Sequence, residues 1–117
     1  MSLLRALGAA LMLLCATVST AGPSVVDSAD RIVTLQQPAA RIVGLAPHIV
    51  ENIFSAGAGD KLVGVVSYSD YPEQAKRIPQ VGSAYAWSLE SLVALAPDLV
   101  VLWGSGNGMA SLAQLER

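Results

Sequence analysis

The segment SLESLVALAPDLVVLW, Ser88–Trp103, places a short helix directly before an apolar strand, and this order decides the fold class. Ser88 can accept a hydrogen bond as the N-cap, and Glu90 lies where the helix dipole favours negative charge. Pro97 ends the helix. The following DLVVLW, residues 98–103, is apolar after its first residue, which is typical of a strand buried on both faces of a parallel sheet.

The chain before this segment repeats the alternation of strand and helix. Strands are predicted at RIVTL (31–35), RIVGLAP (41–47) and KLVGVVSY (61–68), and a helix at HIVENIFSAGAG (48–59) with Gly57 as its C-cap. After residue 103, GSGNG is predicted to be a loop and MASLAQLER a further helix. Strands that alternate with helices over short connections predict an α/β fold, a Rossmann-like lobe with a mainly parallel sheet flanked by helices.

The first 21 residues have the three parts of a secretory signal peptide. Arg5 supplies the positive n-region, Ala6–Val18 forms the apolar h-region, and small residues precede a predicted cleavage after Ala21. The apolar run is too short for the ~20 residues that a membrane-spanning helix needs. We therefore predict export to the periplasm and a folded lobe over residues 22–117.

The mature composition restricts the possible partners. Cys15 lies inside the signal peptide, and Leu14 before it disfavours lipidation there, so the mature part carries no cysteine and depends on an apolar core. Cleavage removes only Arg5 among the charged residues, leaving six basic against nine acidic residues and a net charge near −3. Without a basic cluster, nucleic acid and anionic membranes are not expected partners. We expect a monomer.

The sequence offers little for catalysis. His48 is the one histidine, and we find neither a nucleophile elbow nor a ligand spacing for a metal, so we predict no catalytic residue and no metal site. His48 itself is either a solvated residue of a helix start or an axial ligand to a bound metal centre. The GSGNG stretch has Met109 where a dinucleotide fingerprint needs its third glycine, and GAGDK (57–61) follows a helix, so neither predicts a nucleotide site.

Aromatic residues mark the expected ligand edge. In open α/β sheets ligands bind outside the carboxyl ends of the strands, where aromatic rings can stack on a large flat ligand. Tyr68 ends a strand among polar neighbours and favours a ligand role. Trp103 also ends a strand, and a ligand contact and a place in the core are equally compatible with its position. The position of Trp87 favours a place in the core. Tyr71 precedes Pro72, which favours an extended, mainly structural role.

These segments also carry a family resemblance. RIVTLQQPAARIVGLAP, AGAGDKLVGV, SYSDYPEQAKRIPQVGS and SLESLVALAPDLVVLW follow one another as in the periplasmic substrate-binding proteins of ABC importers for cobalamin and iron chelates. SYSDYP is similar to the cobalamin-binding branch, whereas LE-x-x-VAL-x-PDLV is shared across the wider family. The resemblance implies two α/β lobes joined by a long helix, with the ligand between them. The chain then supplies the N-terminal lobe, and its end at Arg117, in a helical pattern without a following strand, is expected to be that of a fragment.

The resemblance also implies roles for single residues. Tyr68 matches a tyrosine that lines the cobalamin site, and Trp103 matches a tryptophan of the same cleft. A further cleft tryptophan of the cobalamin-binding branch falls at Ala84, where Tyr85 or Trp87 can substitute. Glu90 matches a surface glutamate that pairs with arginines of the membrane permease, a role compatible with helix capping. The expected ligand-binding residues are therefore Tyr68, Trp103 and Tyr85, with Glu90 for permease docking.

The predicted function is that of a substrate-binding component that carries cobalamin as a transported ligand, without a cofactor of its own. Haem or a ferric siderophore is the alternative ligand, with Tyr68, Tyr71 or Tyr85 bound to iron. A small secreted α/β hydrolase using His48 as its base is the distant alternative. Half a cleft cannot enclose a ligand, so residues 22–117 alone are expected to bind weakly or not at all.

Overall fold

A computed structural model of the chain describes residues 22–117, and the predicted signal peptide with Cys15 lies outside this range. The strands are β1 (Ser24–Val26), β2 (Ile32–Thr34), β3 (Ile42–Gly44), β4 (Leu62–Gly64) and β5 (Leu99–Val101). The helices are α1 (Pro47–Ser55), α2 (Leu89–Ala94), α3 (Gly104–Asn107) and α4 (Met109–Leu115), with 3-10 turns at Gly59–Lys61 and Glu73–Arg77. None of the helices within residues 22–117 is long and apolar enough to cross a bilayer.

The centre of the fold is a parallel sheet of order β4-β3-β5, which confirms the predicted α/β class. The central strand β3 pairs with β5 through Ile42 opposite Leu99 and Gly44 opposite Val101. The amide of Leu45 continues this pairing by donating to the carbonyl of Val101 at 3.0 Å. The carboxyl ends of all three strands therefore meet at one edge.

Successive residues of a strand point to opposite faces of the sheet, so β3 contributes to two buried clusters, one on each face. Val43 and Leu45 join a buried cluster with Leu92 of α2. Ile42, in contrast, joins a second buried cluster with Val50 of α1. Helices α1 and α2 thus lie on opposite faces of the sheet, as the alternating pattern requires.

The predicted helix ends are confirmed at two positions. The Ser88 hydroxyl accepts a hydrogen bond from the Ser91 amide at 3.1 Å and so caps α2. After α1, Gly57 has a φ of 82°, the left-handed conformation that glycine adopts most readily. Its amide donates to the carbonyl of Phe54 at 2.9 Å, which satisfies one of the open carbonyls of the helix end.

The first predicted strand does not join the parallel sheet. It forms β2, which pairs antiparallel with β1 in a hairpin that the sequence analysis did not anticipate. The Asp27 carboxylate closes the turn by accepting hydrogen bonds from the amides of Ala29 and Arg31, both at 2.9 Å. The Arg31 side chain also forms an ion pair with Glu116 just after α4, which links the hairpin to the last helix.

Two further local predictions were wrong. Residues of β5 are half-buried and not buried on both faces, because β5 is an edge of the sheet within residues 22–117. The GSGNG stretch, predicted to be a loop, forms the helical turn α3 from Gly104 to Asn107. This second correction bears on the candidate site.

Asp98 joins the start of β3 to the start of β5 and gives the lobe a pH-dependent contact. Its carboxylate accepts hydrogen bonds from the amides of Ala40 at 2.8 Å and Arg41 at 2.9 Å. These bonds, that of Ala40 first, lower the pKa of Asp98 from its ordinary value of 3.8. A depressed pKa in the folded state stabilises the fold above the ordinary pKa, and this contribution disappears as the pH falls through the folded value.

We therefore expect Asp98→Ala to lower the melting temperature at pH 7, with a deficit that shrinks as the pH falls below 3.8. Thermal unfolding followed by circular dichroism across this range measures the effect. Glu51→Ala, at an exposed position of α1, is the control and should change little at either pH. A deficit of the same size at neutral and acid pH would show that the charge of Asp98 is not what stabilises the contact.

Candidate functional site at the carboxyl edge of the sheet

Three chain segments leave the sheet at the same edge and carry the candidate residues. β3 leads through Leu45 to His48 in the first turn of α1. β4 leads to Tyr68, and β5 leads to Trp103. Because parallel strands end together, these side chains come from distant parts of the sequence to one surface.

Trp103 is the centre of an aromatic cluster, which we define as His48, Tyr85 and Trp103. The imidazole of His48 meets the indole edge to face, with ring centroids 5.0 Å apart and planes at 88°. The Tyr85 ring lies on the same indole at a centroid distance of 6.5 Å and a tilt of 57°. Trp103 is half-buried, whereas Tyr85 is 77% exposed. The cluster is therefore an aromatic surface with a fixed centre and an open outer side.

Tyr85 is presented by a tight turn and does not depend on a flexible loop. The Ser83 amide donates to the carbonyl of Ala86 at 3.0 Å, and the Ser83 hydroxyl accepts from the Ala86 amide at 3.0 Å. Gly82 precedes the turn with a φ of 125°, and a Cβ there would lie 2.4 Å from the Ala86 oxygen. Only glycine allows the backbone at position 82 to come this close to Ala86, so Gly82 determines the geometry of the turn.

Asn107 joins the segments of the cluster, and the sequence analysis missed it. Its Oδ1 accepts a hydrogen bond from the Trp103 amide at 2.6 Å, and its Nδ2 donates to the carbonyl of Leu45 at 2.9 Å. Nδ2 also donates to the carbonyl of Ala84. The one signal in the sequence is an amide residue among glycines just after a strand, in a stretch that the sequence analysis predicts to be a loop without a nucleotide site.

Tyr68 is not part of the aromatic cluster. Its side chain is 83% exposed, and the ring contacts found among residues 22–117 do not include it. Its φ of 67° lies in the left-handed region, which a tyrosine adopts at a cost of roughly 1 kcal/mol or more. The preceding residue is held firmly, since the Ser67 amide donates to the carbonyl of Gly82 at 2.8 Å. The structure thus brings Trp103 and Tyr85 together and leaves the Tyr68 side chain exposed, outside the cluster.

The remaining candidates lie elsewhere. Trp87 packs against the buried cluster of Val43 and Leu45, as the sequence predicted for a core residue. Ala84 is also buried in that cluster. Of the two residues proposed to substitute for a cleft tryptophan at this position, Tyr85 belongs to the aromatic cluster of the candidate site and Trp87 does not. Glu90 is exposed in the first turn of α2. Tyr71 was predicted to have a mainly structural role, and its side chain is 70% exposed.

The aromatic cluster forms an open wall. A groove of about 1050 Å³ lies under the hairpin, between β5, α2 and α4, and none of the cluster residues lines it. Within residues 22–117, no group of three or more His, Cys, Asp or Glu side chains converges on a metal position. The described site therefore offers ring faces and edges, which suit a large flat ligand covered from another side.

Known proteins are similar to this chain in sequence and in fold. No family model matches the chain. The vitamin B12-binding protein of Vibrio campbellii is 50% identical over 80 residues, which is 68% of this chain and 29% of that protein. The crystal structure of the periplasmic vitamin B12 binding protein BtuF of Vibrio cholerae is 46% identical, with a TM-score of 0.64, over 68% of this chain and 31% of that one.

A haem-binding protein is similar as well. The periplasmic protein RhuT of Roseiflexus sp. RS-1 is 37% identical, with a TM-score of 0.61, over 67% of this chain and 30% of that one. Over the matched part, the chain is homologous to proteins named as periplasmic vitamin B12- and haem-binding proteins. This confirms the resemblance drawn from the sequence. The chain spans about 29% of the length of the Vibrio campbellii relative. By name, these relatives are binding proteins.

Proposed function

We propose that the chain supplies one wall of a cobalamin site in the substrate-binding component of an ABC importer. The observation that carries this proposal is the indole of Trp103, flanked by His48 and Tyr85 at the carboxyl edge of a parallel sheet. The similarity to vitamin B12-binding proteins supports cobalamin as the ligand. Transport of an intact vitamin needs recognition and release, and no bond of the ligand has to be broken.

The physical basis of recognition is contact between aromatic rings and a broad, partly apolar ligand. Each ring covers apolar area and adds about 0.5–1.5 kcal/mol when its geometry suits a stacked or edge contact. Tyr68 and Tyr85 also carry hydroxyl groups that can donate to the polar amides at the rim of cobalamin. Tyr68 faces outward already, so we assign it to contact at the border of the site.

An open wall cannot enclose a ligand of this size, so the opposite wall belongs to a second lobe in our proposal. Residues 22–117 form the N-terminal lobe, and closure of the two lobes removes the exposed rings from water. The predicted signal peptide of residues 1–21 directs the protein to the periplasm. The lobe alone then binds cobalamin weakly or not at all, because small ligands require burial on most sides.

The identity of the ligand is tested by titration with hydroxocobalamin and with haemin. The titrated sample is the full-length protein, by which we mean this lobe together with the proposed second lobe. We expect calorimetry to show saturable binding of one cobalamin per protein, with much weaker binding of haemin. Residues 22–117 alone, treated in the same way, should give little heat. Saturable haemin binding without cobalamin binding would overturn the proposal.

Haem is the second candidate ligand, and one observation favours keeping it. The haem-binding protein of Roseiflexus sp. RS-1 is 37% identical to this chain. Phenolate oxygen binds ferric iron, and Tyr85 offers an exposed phenol beside Trp103. A charge-transfer absorbance band on haemin binding that disappears in Tyr85→Phe would identify this mode.

Docking to the permease is a separate step in our proposal, and it depends on Glu90. Its exposed carboxylate in the first turn of α2 can pair with arginines of a membrane partner. We expect Glu90→Gln to leave the cobalamin dissociation constant within about twofold, since charged rims act mainly on association with the partner. Uptake of cobalamin by reconstituted transporter should fall strongly. Glu51→Gln on α1 is the matched control, and equal loss of uptake in both variants would argue against a specific Glu90 contact.

A further inference from the structure

We propose that Asn107 is a positioning residue that holds the aromatic cluster in its ligand-binding arrangement. The cobalamin affinity expected below rests on the proposed function. The arrangement itself does not, because it follows from contacts within residues 22–117.

The three segments that carry the cluster meet at one amide side chain. Asn107 accepts from the Trp103 amide and donates to Leu45, three residues before His48, and to Ala84, which directly precedes Tyr85. Leu45 is completely buried and Ala84 is 9% exposed, so water does not readily replace Asn107 at these carbonyls. Loss of the side chain therefore removes the three hydrogen bonds that join these segments beyond the end of the β3–β5 pairing.

The three hydrogen bonds at position 107 call for a short amide side chain. The position needs one acceptor and two donors on a single short side chain, which asparagine supplies and aspartate does not. Aspartate keeps the acceptor for the Trp103 amide but presents oxygen to the two carbonyls. We therefore expect Asn107→Asp to release Leu45 and Ala84 while it retains the contact with Trp103.

The same helical turn also forms the seat of the indole. A Cβ at Gly106 would lie 1.9 Å from Cε3 and 2.2 Å from Cζ3 of Trp103, so the ring rests directly against the glycine backbone. Gly106→Ala thus displaces the ring without removing any hydrogen bond of Asn107. The glycine and amide residues of GSGNG therefore have a structural explanation: Gly106 leaves room for the indole ring, and Asn107 makes the three hydrogen bonds.

The test follows the Trp103 indole N–H signal by NMR in the full-length protein, assigned by its loss in Trp103→Phe. We expect Asn107→Ala to shift or broaden this signal and to leave the Trp87 signal in place. Calorimetry should show cobalamin binding weakened about tenfold or more. Asn107→Asp should be intermediate, and Gly106→Ala should move the indole signal as well. Ser105→Ala, at an exposed position of the same turn, is the control and should change neither measurement.

The outcomes are separable. An unmoved Trp103 signal in folded Asn107→Ala, with unchanged cobalamin affinity, would overturn the proposal. If Asn107→Ala does not fold, Asn107→Asp takes its place, and an indole signal like that of the wild type would have the same meaning. If the wild-type protein binds no cobalamin, the proposed function fails, whereas the NMR signal still decides whether Asn107 positions the cluster.

Discussion

Trp103→Ala is expected to weaken cobalamin binding by the full-length protein about thirtyfold or more. Trp103 combines two properties of residues that dominate binding energy, a large aromatic face and a half-buried position with fixed neighbours. Truncation of such a residue typically costs about 2 kcal/mol or more, which corresponds to that change in the dissociation constant. Trp103→Phe keeps a ring at the position and should lose less affinity than the alanine variant.

Calorimetric titration with cobalamin measures the effect, and Trp87→Phe is the matched control for Trp103→Phe. Trp87 packs against the buried cluster, so its replacement should lower the free energy of unfolding and leave cobalamin affinity nearly unchanged. Equal affinity in the wild type and in a folded Trp103→Ala protein would show that the ligand does not contact this wall. The proposed site would then have to lie elsewhere on the lobe.

Leu45→Ala is expected to destabilise the lobe by about 3 kcal/mol, within the range observed for leucine truncation in protein cores. Leu45 is completely buried and is among the largest such side chains within residues 22–117. It lies between β3 and α1, in the cluster that joins the sheet to α2. The surrounding strand and helix can collapse only partly into the space left by the side chain, so both the lost contacts and the cavity reduce stability.

Urea unfolding followed by circular dichroism measures this change as a lower midpoint at an unchanged slope. Leu89→Ala makes the same chemical change at a position on α2 that is 37% exposed, and it should cost far less. A loss of similar size in the two variants would mean that burial at Leu45 does not determine the stability of the sheet.

Local signals explain which elements could be predicted from sequence. Ser88 and Gly57 fix the ends of their helices through bonds to residues within three positions, so the sequence contains the necessary information. The hairpin of β1 and β2 was missed because its turn depends on the Asp27 carboxylate, and DSAD lacks the glycine that marks most hairpins. The half-buried state of β5 was missed because burial depends on which strands lie next to one another, a property of topology.

The candidate site was predictable in location and only partly in composition. The general rule for parallel sheets placed Tyr68 and Trp103 at the carboxyl edge, where the structure has them. That Trp103 contacts His48 and Tyr85 could not be inferred, because these residues are far apart in the chain. Asn107 bridges an even longer separation, 62 residues to Leu45, and no local pattern reports such a contact. Their roles in ligand binding remain predictions.

The strand order β4-β3-β5 has a consequence for the ligand binding that we propose for this lobe. From β3 the chain moves to one side of the sheet and then to the other, with α1 and α2 on opposite faces. At such a reversal the two crossover connections diverge above the end of the central strand, which is where open α/β sheets bind their ligands whatever side chains lie there. The location of the proposed site is thus a property of chain path, while in our proposal its selectivity resides in a few replaceable rings. On this proposal, exchange of those rings would adapt one fold to different flat chelates without a change in the path of the chain.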